Sequence, residues 1–292
     1  GRGTEYGQTQ LSWSNGAVTV LACTNRMYGT NESYWFVLAS GVSTPWIHTA
    51  ASNFPSVYYR IVSGGYTSQY DVGKFDVDIA PGSIAWMSFP FGVQPGCNVL
   101  SEWFGQQLEP RLYSGFNFPS LQKQATPGGT IVNADYYINT SGDWSTNWFG
   151  PSNIVANAGY VLFLPKNHGA VKVTGIGMVQ TNNVAMQIPY TTIPWVGLAY
   201  DVAIDMRASG LTNLFPSPRL YSSFNYDFVD SQQTLGGSIW SAEYYIDDWG
   251  SRTTNFFPSV AGADKIEPGK GYLLFFSTSR AGTGVWTCVR PY

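Results

Sequence analysis

The chain has 292 residues, of which 11% are charged and 16% aromatic, and its formal net charge is −3. An ordinary soluble domain carries about 25% charged residues, and disorder needs low hydrophobicity with high net charge, so a disordered chain is excluded. Nothing supplies the basic footprint of a nucleic-acid binder, and no apolar run of about 18 residues is present to insert in a membrane as a helix.

In chain order, residues 10–23 open the pattern. Leu11 and Trp13, then Val18 and Val20, alternate around Asn15-Gly16, which predicts a two-residue hairpin. Residues 34–38, 57–62 and 74–79 supply further strands, enough for a small antiparallel sandwich over residues 1–80. Pro81-Gly82 marks the first boundary and the polar stretch 180–189 the second. Residues 131–138 and 160–164 are short, aromatic and β-branched runs between Gly/Pro/Asn clusters, and they read as strands. Pro268-Gly269-Lys270-Gly271 is a tight turn into the apolar run 272–276. Helical periodicity is confined to residues 98–107 and 208–215.

The last two thirds are a tandem duplication. Pro110-Arg111-Leu112-Tyr113-Ser114 recurs as Pro218-Arg219-Leu220-Tyr221-Ser222, at an offset of 108. The same offset relates Gly128-Gly129-Thr130-Ile131 to Gly236-Gly237-Ser238-Ile239, and Ala134-Asp135-Tyr136-Tyr137-Ile138 to Ala242-Glu243-Tyr244-Tyr245-Ile246. Ile84-Ala85-Trp86 pairs with Ile193-Pro194-Trp195 at 109, and Gly159-Tyr160 with Gly271-Tyr272 at 112, so the second copy holds a longer loop in 261–270. The expected fold is therefore all-β, mainly antiparallel β-sandwich modules with short helices. Three tandem modules are expected, at residues 1–80, 81–183 and 184–292, the last two being the repeats.

Two stretches carry a resemblance. Thr24-Asn25, Tyr34-Trp35 and Asn53-Phe54-Pro55-Ser56-Val57-Tyr58-Tyr59-Arg60 resemble the closing strands of fibronectin-III-like modules in large exported proteins of Planctomycetes and Verrucomicrobia-type bacteria. The duplicated unit opens with Trp86-Met87-Ser88-Phe89-Pro90-Phe91 and closes with Pro268-Gly269-Lys270-Gly271-Tyr272, and it is similar to a repeat in exported proteins of the same bacteria. The first copy departs from that pattern, with Val155-Ala156-Asn157-Ala158-Gly159 at the place of the turn. The resemblance implies export and an adhesive or structural setting, and it brings no catalytic residues.

Composition points the same way. Eleven Trp and nineteen Tyr among many neutral polar residues suit an extracellular or cell-surface protein. Residues 1–20 lack a basic start and apolar core, so an export signal is expected to have been removed already. Cys23, Cys97 and Cys288 match no zinc spacing and leave three disulfide pairings open, or none. Asn31-Glu32-Ser33 and Asn139-Thr140-Ser141 fit the glycosylation acceptor pattern.

Catalytic motifs are scarce. His48 and His168 lie in different modules and read as satisfied or solvent-exposed histidines, and no nucleophile elbow, phosphate loop or calcium loop occurs. Glycoside hydrolysis needs two carboxylates across a cleft. Asp135 with Asp143, and Glu243 with Asp247 and Asp248, are the candidates, with strand-edge solvation the default. Arg111 and Arg219 read as guanidinium groups stacked on rings or tied to carbonyls, with a ligand clamp as the alternative. Trp144, Trp148 and Trp249 lie in polar loops and are the candidate sugar platforms, against a role capping the core. No enzyme activity, cofactor or metal is expected.

Low charge, tandem β modules, aromatics and strand edges without charged guards point to a non-enzymatic structural protein. It would self-associate into a filament or surface assembly, its partners other copies of itself. Residues 1–10 would lie along a neighbouring module or a neighbouring subunit, and such a segment could add a strand to an open sheet edge in the next copy. The alternative is a carbohydrate-binding or adhesion module acting on extracellular polysaccharide.

Overall fold

The computed structural model describes residues 8–14, 16–24, 32–91, 100–104, 107–115, 117–139, 146–249 and 253–291. The protein is all-β, built from several antiparallel sheets.

The N-terminal part supplies β1 (Thr9–Leu11), β2 (Val18–Cys23), β3 (Phe36–Val42), β4 (Trp46–His48), β5 (Ser56–Ser63), β6 (Tyr66–Thr67) and β7 (Val72–Ile79). The first repeat follows with β8 (Ile84–Ser88), helix α1 (Leu100–Phe104), β9 (Arg111–Leu112), β10 (Ser120–Gln124), β11 (Ile131–Ile138), β12 (Thr146–Phe149), β13 (Gly159–Phe163) and β14 (Val171–Met178). The second has β15 (Val184–Pro189), β16 (Trp195–Gly197), β17 (Ile204–Asp205), β18 (Arg219–Leu220), β19 (Asp227–Gln232), β20 (Ile239–Ile246), β21 (Thr254–Pro258), β22 (Lys265–Ile266), β23 (Gly271–Phe275) and β24 (Thr283–Cys288).

Both repeats build the same sheet. In the first its order is β12-β11-β10-β13-β8, with β9 running parallel to the end of β11. The second is β16-β23-β19-β20-β18, with β21 also on β20. Period-two alternation sets the faces. Along β11, Ala134 is buried and Tyr136 packs on Trp148, while Ile131 and Asn133 look outward with Tyr137. The expected helices are short: α1 spans one turn, and Leu211–Leu214 forms a 3-10 turn in the second repeat. The longer second loop carries β22, which pairs with β17.

The hairpin expected around Asn15-Gly16 does not form. β1 pairs with β4, whereas β2 lies between β3 and β5 in a different sheet. Alternation in the sequence reveals a strand but not its partner, and here the chain crosses from one layer to the next. Gly16 turns it at φ +60, and its carbonyl accepts from Trp13 Nε1 at 2.9 Å. Asn15 lies outside the described residues.

The division at 80/81 is crossed by hydrogen bonds. β7 pairs along its whole length with β14, from Val72↔Met178 to Ile79↔Val171. The second repeat does the same with β15 and β24, from Val184↔Cys288 to Pro189↔Thr283. The stretch 180–189, expected as the second boundary, holds a strand, β15. In each case the last strand returns to the strand just before the repeat's sheet begins, β14 to β7 ahead of β8 and β24 to β15 ahead of β16.

Packing follows this closure. Cys23, Tyr58, Phe75 and Ile79 of the N-terminal sheet share one core with Met87, Phe89, Trp103, Leu121, Trp148 and Leu162 of the first repeat. Trp103 of α1 rests directly on Gly175 of β14, where any side chain would collide with the indole. The other face of the N-terminal sheet buries Leu11, Val20, Val57 and Tyr59 in a smaller core. The second repeat has its own core, centred on Tyr200, Phe215, Tyr272 and Trp286.

The repeats join reciprocally. Met87 bridges Lys270 and, at the equivalent place, Val196 bridges Ala158. Ser88 N donates to Gly269 O at 2.9 Å, and Gly197 N to Asn157 O at 2.7 Å. Contacts in which residue i meets j while the equivalent of j meets that of i are the signature of a two-fold relation. Bridge partners share a face, so Met87 and Tyr272 lie on one side of the joined sheets and the outer faces of both repeats look to the other.

Candidate functional site

The outer faces carry one aromatic constellation twice. In the first repeat, the Tyr137 ring stacks on Phe149 at 4.1 Å and meets Tyr113 and Phe118 at 4.8 and 5.0 Å. In the second, Tyr245 stacks on Phe257 at 4.1 Å and meets Tyr221 and Tyr226 at 4.8 and 5.2 Å. Cross-strand pairing produces the stacks: Asp135 opposes Phe149 and Tyr137 opposes Asn147, as Glu243 opposes Phe257 and Tyr245 opposes Asn255. These rings are partly exposed, and the sequence reading, directed at tryptophans, missed them. Their signal was the constant offset of 108 at Tyr113, Phe118, Tyr137 and Phe149.

The tryptophan candidates separate. Trp148 is 7% exposed and packs in the first core against Phe104 and Tyr136, so it is no surface platform. Strand β12 alternates, and Trp148 takes the inward position. Trp249 is 79% exposed, and its N–H donates to Asp247 Oδ1 at 3.0 Å. Trp144 lies outside the described residues, as do Asp143, Cys97, Asn31 and residues 1–7. Residues 9–11 are not available to a neighbour, because β1 is paired with β4 of its own chain.

The acids have local hydroxyl partners. Ser120 donates to Asp135 at 2.5 Å, Tyr226 to Glu243, and Ser222 to Asp248. Burial and the neighbouring Glu243 push the Tyr226 phenol up to about 12. Different partners serve Asp135 and Glu243 although the two positions are equivalent, which is how solvating contacts behave. Among the described residues, no three His, Cys, Asp or Glu side chains gather to hold a metal.

Arg219 donates to the Ser279 hydroxyl and lines an open groove of about 740 Å³ with Tyr190, Leu220 and Arg280. Arg280 is held there by Asp227, at 2.7 and 2.6 Å in a two-point contact. The first repeat has His168 and Pro119 at the places of Arg280 and Asp227, so this ion pair is not duplicated. Both histidines are buried: His48 Nδ1 meets Tyr59 OH at 2.8 Å, while His168 Nε2 accepts from Glu109 N and its Nδ1 donates to Gly169 O. That pattern satisfies both ring nitrogens of His168. Cys23 is buried in the first core and Cys288 in the second, where burial pushes its thiol up to about 12.

One sheet edge carries no charged guard among the described residues, although its strand β3 makes two register shifts against β2. β3 is the outer strand of the N-terminal sheet, with β2 on its inner side. Its seven residues, FVLASGV, include no charge and no proline, and Phe36 and Val37 are 46% and 61% exposed.

Comparison with protein-family models, curated proteins and solved structures finds no match for this chain. No described helix is long and apolar enough to cross a membrane.

Proposed function

We propose that the chain is a non-enzymatic structural protein of an extracellular or cell-surface assembly, which self-associates through its sheet edges into a filament or layer. The observation that carries this reading is β3. Natural proteins blunt exposed edges with lysine, proline, a bulge or a cover, because a bare row of backbone donors and acceptors recruits another strand. β3 is long for an edge and carries no charge, and although it bulges twice against β2, Phe36 and Val37 stand exposed on it. The low overall charge favours association in the same direction.

Light scattering and electron microscopy of the purified chain test the proposal. Regular polymers are the expected result, and Val37→Lys, which places a charged guard on β3, shortens or abolishes them. A monomer at every concentration overturns the reading, and so does assembly that Val37→Lys leaves unchanged.

A second reading, binding of extracellular polysaccharide, is favoured by the duplicated Tyr137 and Tyr245 constellations with Asn147 and Asn255 beside them. Flat rings next to amides and acids suit sugar stacking. Loss of pull-down by insoluble glycans in Tyr137→Ala with Tyr245→Ala, and not in Trp249→Ala, is its test.

A further inference from the structure

The two repeats close alike but are covered differently. In the first, β7 pairs with β14 on one side and with β5 on the other, from Ser56↔Phe75 to Tyr59↔Val72. In the second, β15 pairs with β24 in a sheet of two strands. Among the described residues, no strand takes the place beside β15 that β5 fills beside β7.

The repeat shows which groups are left bare. A Cβ on Gly236 would meet Ser83 and Ala80, and one on the equivalent Gly128 would meet Thr192 and Pro189, so an offset of 109 relates β7 to β15. The same offset sets Val77 and Ile79, on the first core, against Met186 and Ile188, on the second. Ala185 is then the counterpart of Asp76. Asp76 N donates away from β14, to Pro55 O at 2.8 Å, and the Asp76 side chain is 5% exposed. Backbone groups alternate in direction along an antiparallel strand, so Ala185 and Gln187 turn theirs away from β24. Both residues are exposed, and outside the pairing with β24 no hydrogen bond reaches either among the described residues.

A bare edge recruits a strand. β15 reads VAMQIP and carries no charge, and Pro189 blunts only its last position, as prolines on edge strands do. β3 is uncharged too, and it is the outer strand of the sheet that supplies β5 to β7. Strands β12 and β21 are equivalent to each other and each pairs on one side only, so neither repeat shows what would cover that edge. Symmetry separates the ways β3 can be used. Two copies of β3 pairing with each other make an isologous contact that stops at a dimer, whereas β3 on a different edge makes a head-to-tail contact that repeats. We infer that β15 is the partner edge of β3, the β3 of one copy adding beside the β15 of the next in the place that β5 takes beside β7. This rests on the self-association proposed above and names the second surface it uses.

Complementation between blocked chains is the test. Ala185→Pro removes an outward N–H from β15, Gln187→Lys puts a charge on the same edge, and Val37→Lys blocks β3. Circular dichroism and thermal unfolding establish that each variant is folded, and light scattering reads its size. Polymers are expected from the native chain and single chains from each variant. Equal mixtures of Val37→Lys with either β15 variant are expected to form complexes of two chains and stop there, because each mixture holds one good β3 and one good β15. Native-like polymers from the β15 variants, or dimers of them, overturn the inference while the reading of β3 stands. Mixtures that stay monomeric overturn it as well. A native chain that is monomeric at every concentration removes both. Should Ala185→Pro fail to fold, Gln187→Lys changes an exposed side chain and carries the test alone.

Discussion

Gln124 and Gln232 stand at equivalent places, and each clasps the backbone of the opposite repeat. Gln124 Oε1 accepts from Trp195 N and its Nε2 donates to Ile193 O, both at 2.8 Å. Gln232 Oε1 accepts from Trp86 N at 2.8 Å and its Nε2 donates to Ile84 O at 2.7 Å. Each oxygen also takes its own repeat's turn amide, Gly128 N or Gly236 N. Replacing either glutamine by alanine strands a backbone N–H and a C=O of β8 or the β16 approach. Urea unfolding of Gln232→Ala is expected to show a loss of about 1–3 kcal/mol, and Gln124→Ala a similar loss.

Trp148 and Trp249 were one class in the sequence and are two in the fold. Trp148→Ala empties part of the first core and is expected to cost about 3–5 kcal/mol. Trp249→Ala, on an exposed ring, is expected to stay within about 0.5 kcal/mol. Thermal unfolding of both variants is the check; equal losses would refute the assignment.

Asp227 and Arg280 form an ion pair with side chains 0% and 10% exposed, and Asp227 Oδ1 also accepts from Ser277 N at 2.8 Å. The guanidinium lies 5.8 Å from the Tyr190 ring and 5.9 Å from Phe215. Asp227→Ala leaves that cation buried and is expected to cost about 3–5 kcal/mol, whereas exchanging both partners for apolar residues costs far less. A double-mutant cycle with Arg280→Met separates the two outcomes.

His48 gives the fold a pH dependence of known sign. Burial first, and then the Lys74 ammonium, lower its pKa from the ordinary 6.5. Around it stand Tyr59 OH and the Trp46 and Phe54 rings, and Lys74 is itself engaged by Asp76 and Phe54 O. The unfolded chain therefore binds a proton that the folded chain refuses. The stability His48 contributes is complete above pH 6.5 and is lost as pH falls through its lower folded value. His48→Gln is expected to flatten the stability profile below neutrality, measured by urea unfolding across that range.

Strands whose pattern and punctuation agree were legible in the sequence. β11 coincides with the expected 131–138, and β13 and β23 lie within one residue of the short apolar and aromatic runs that predicted them. Pairing was not legible where partners are distant. Nothing local to 184–189 announces β24 as its neighbour, and nothing in 10–23 shows that Leu11 will face Trp46. Period two fixes a residue's face only relative to its own strand, so Trp148 in a polar loop context gave no sign that it points inward.

The return of β14 to β7 and of β24 to β15 has a kinetic consequence. Every repeat is a loop whose two ends meet only after about a hundred intervening residues have been drawn together, and closing such a span carries an entropic cost that precedes any reward. Neither repeat can zip up from a local hairpin to completion. Folding is expected to be slow, with the two closing pairs gained last, and the half-made chain presents its bare β7 or β15 to any neighbour in the meantime. The exposed edge of the finished molecule thus has a forerunner on the way to it.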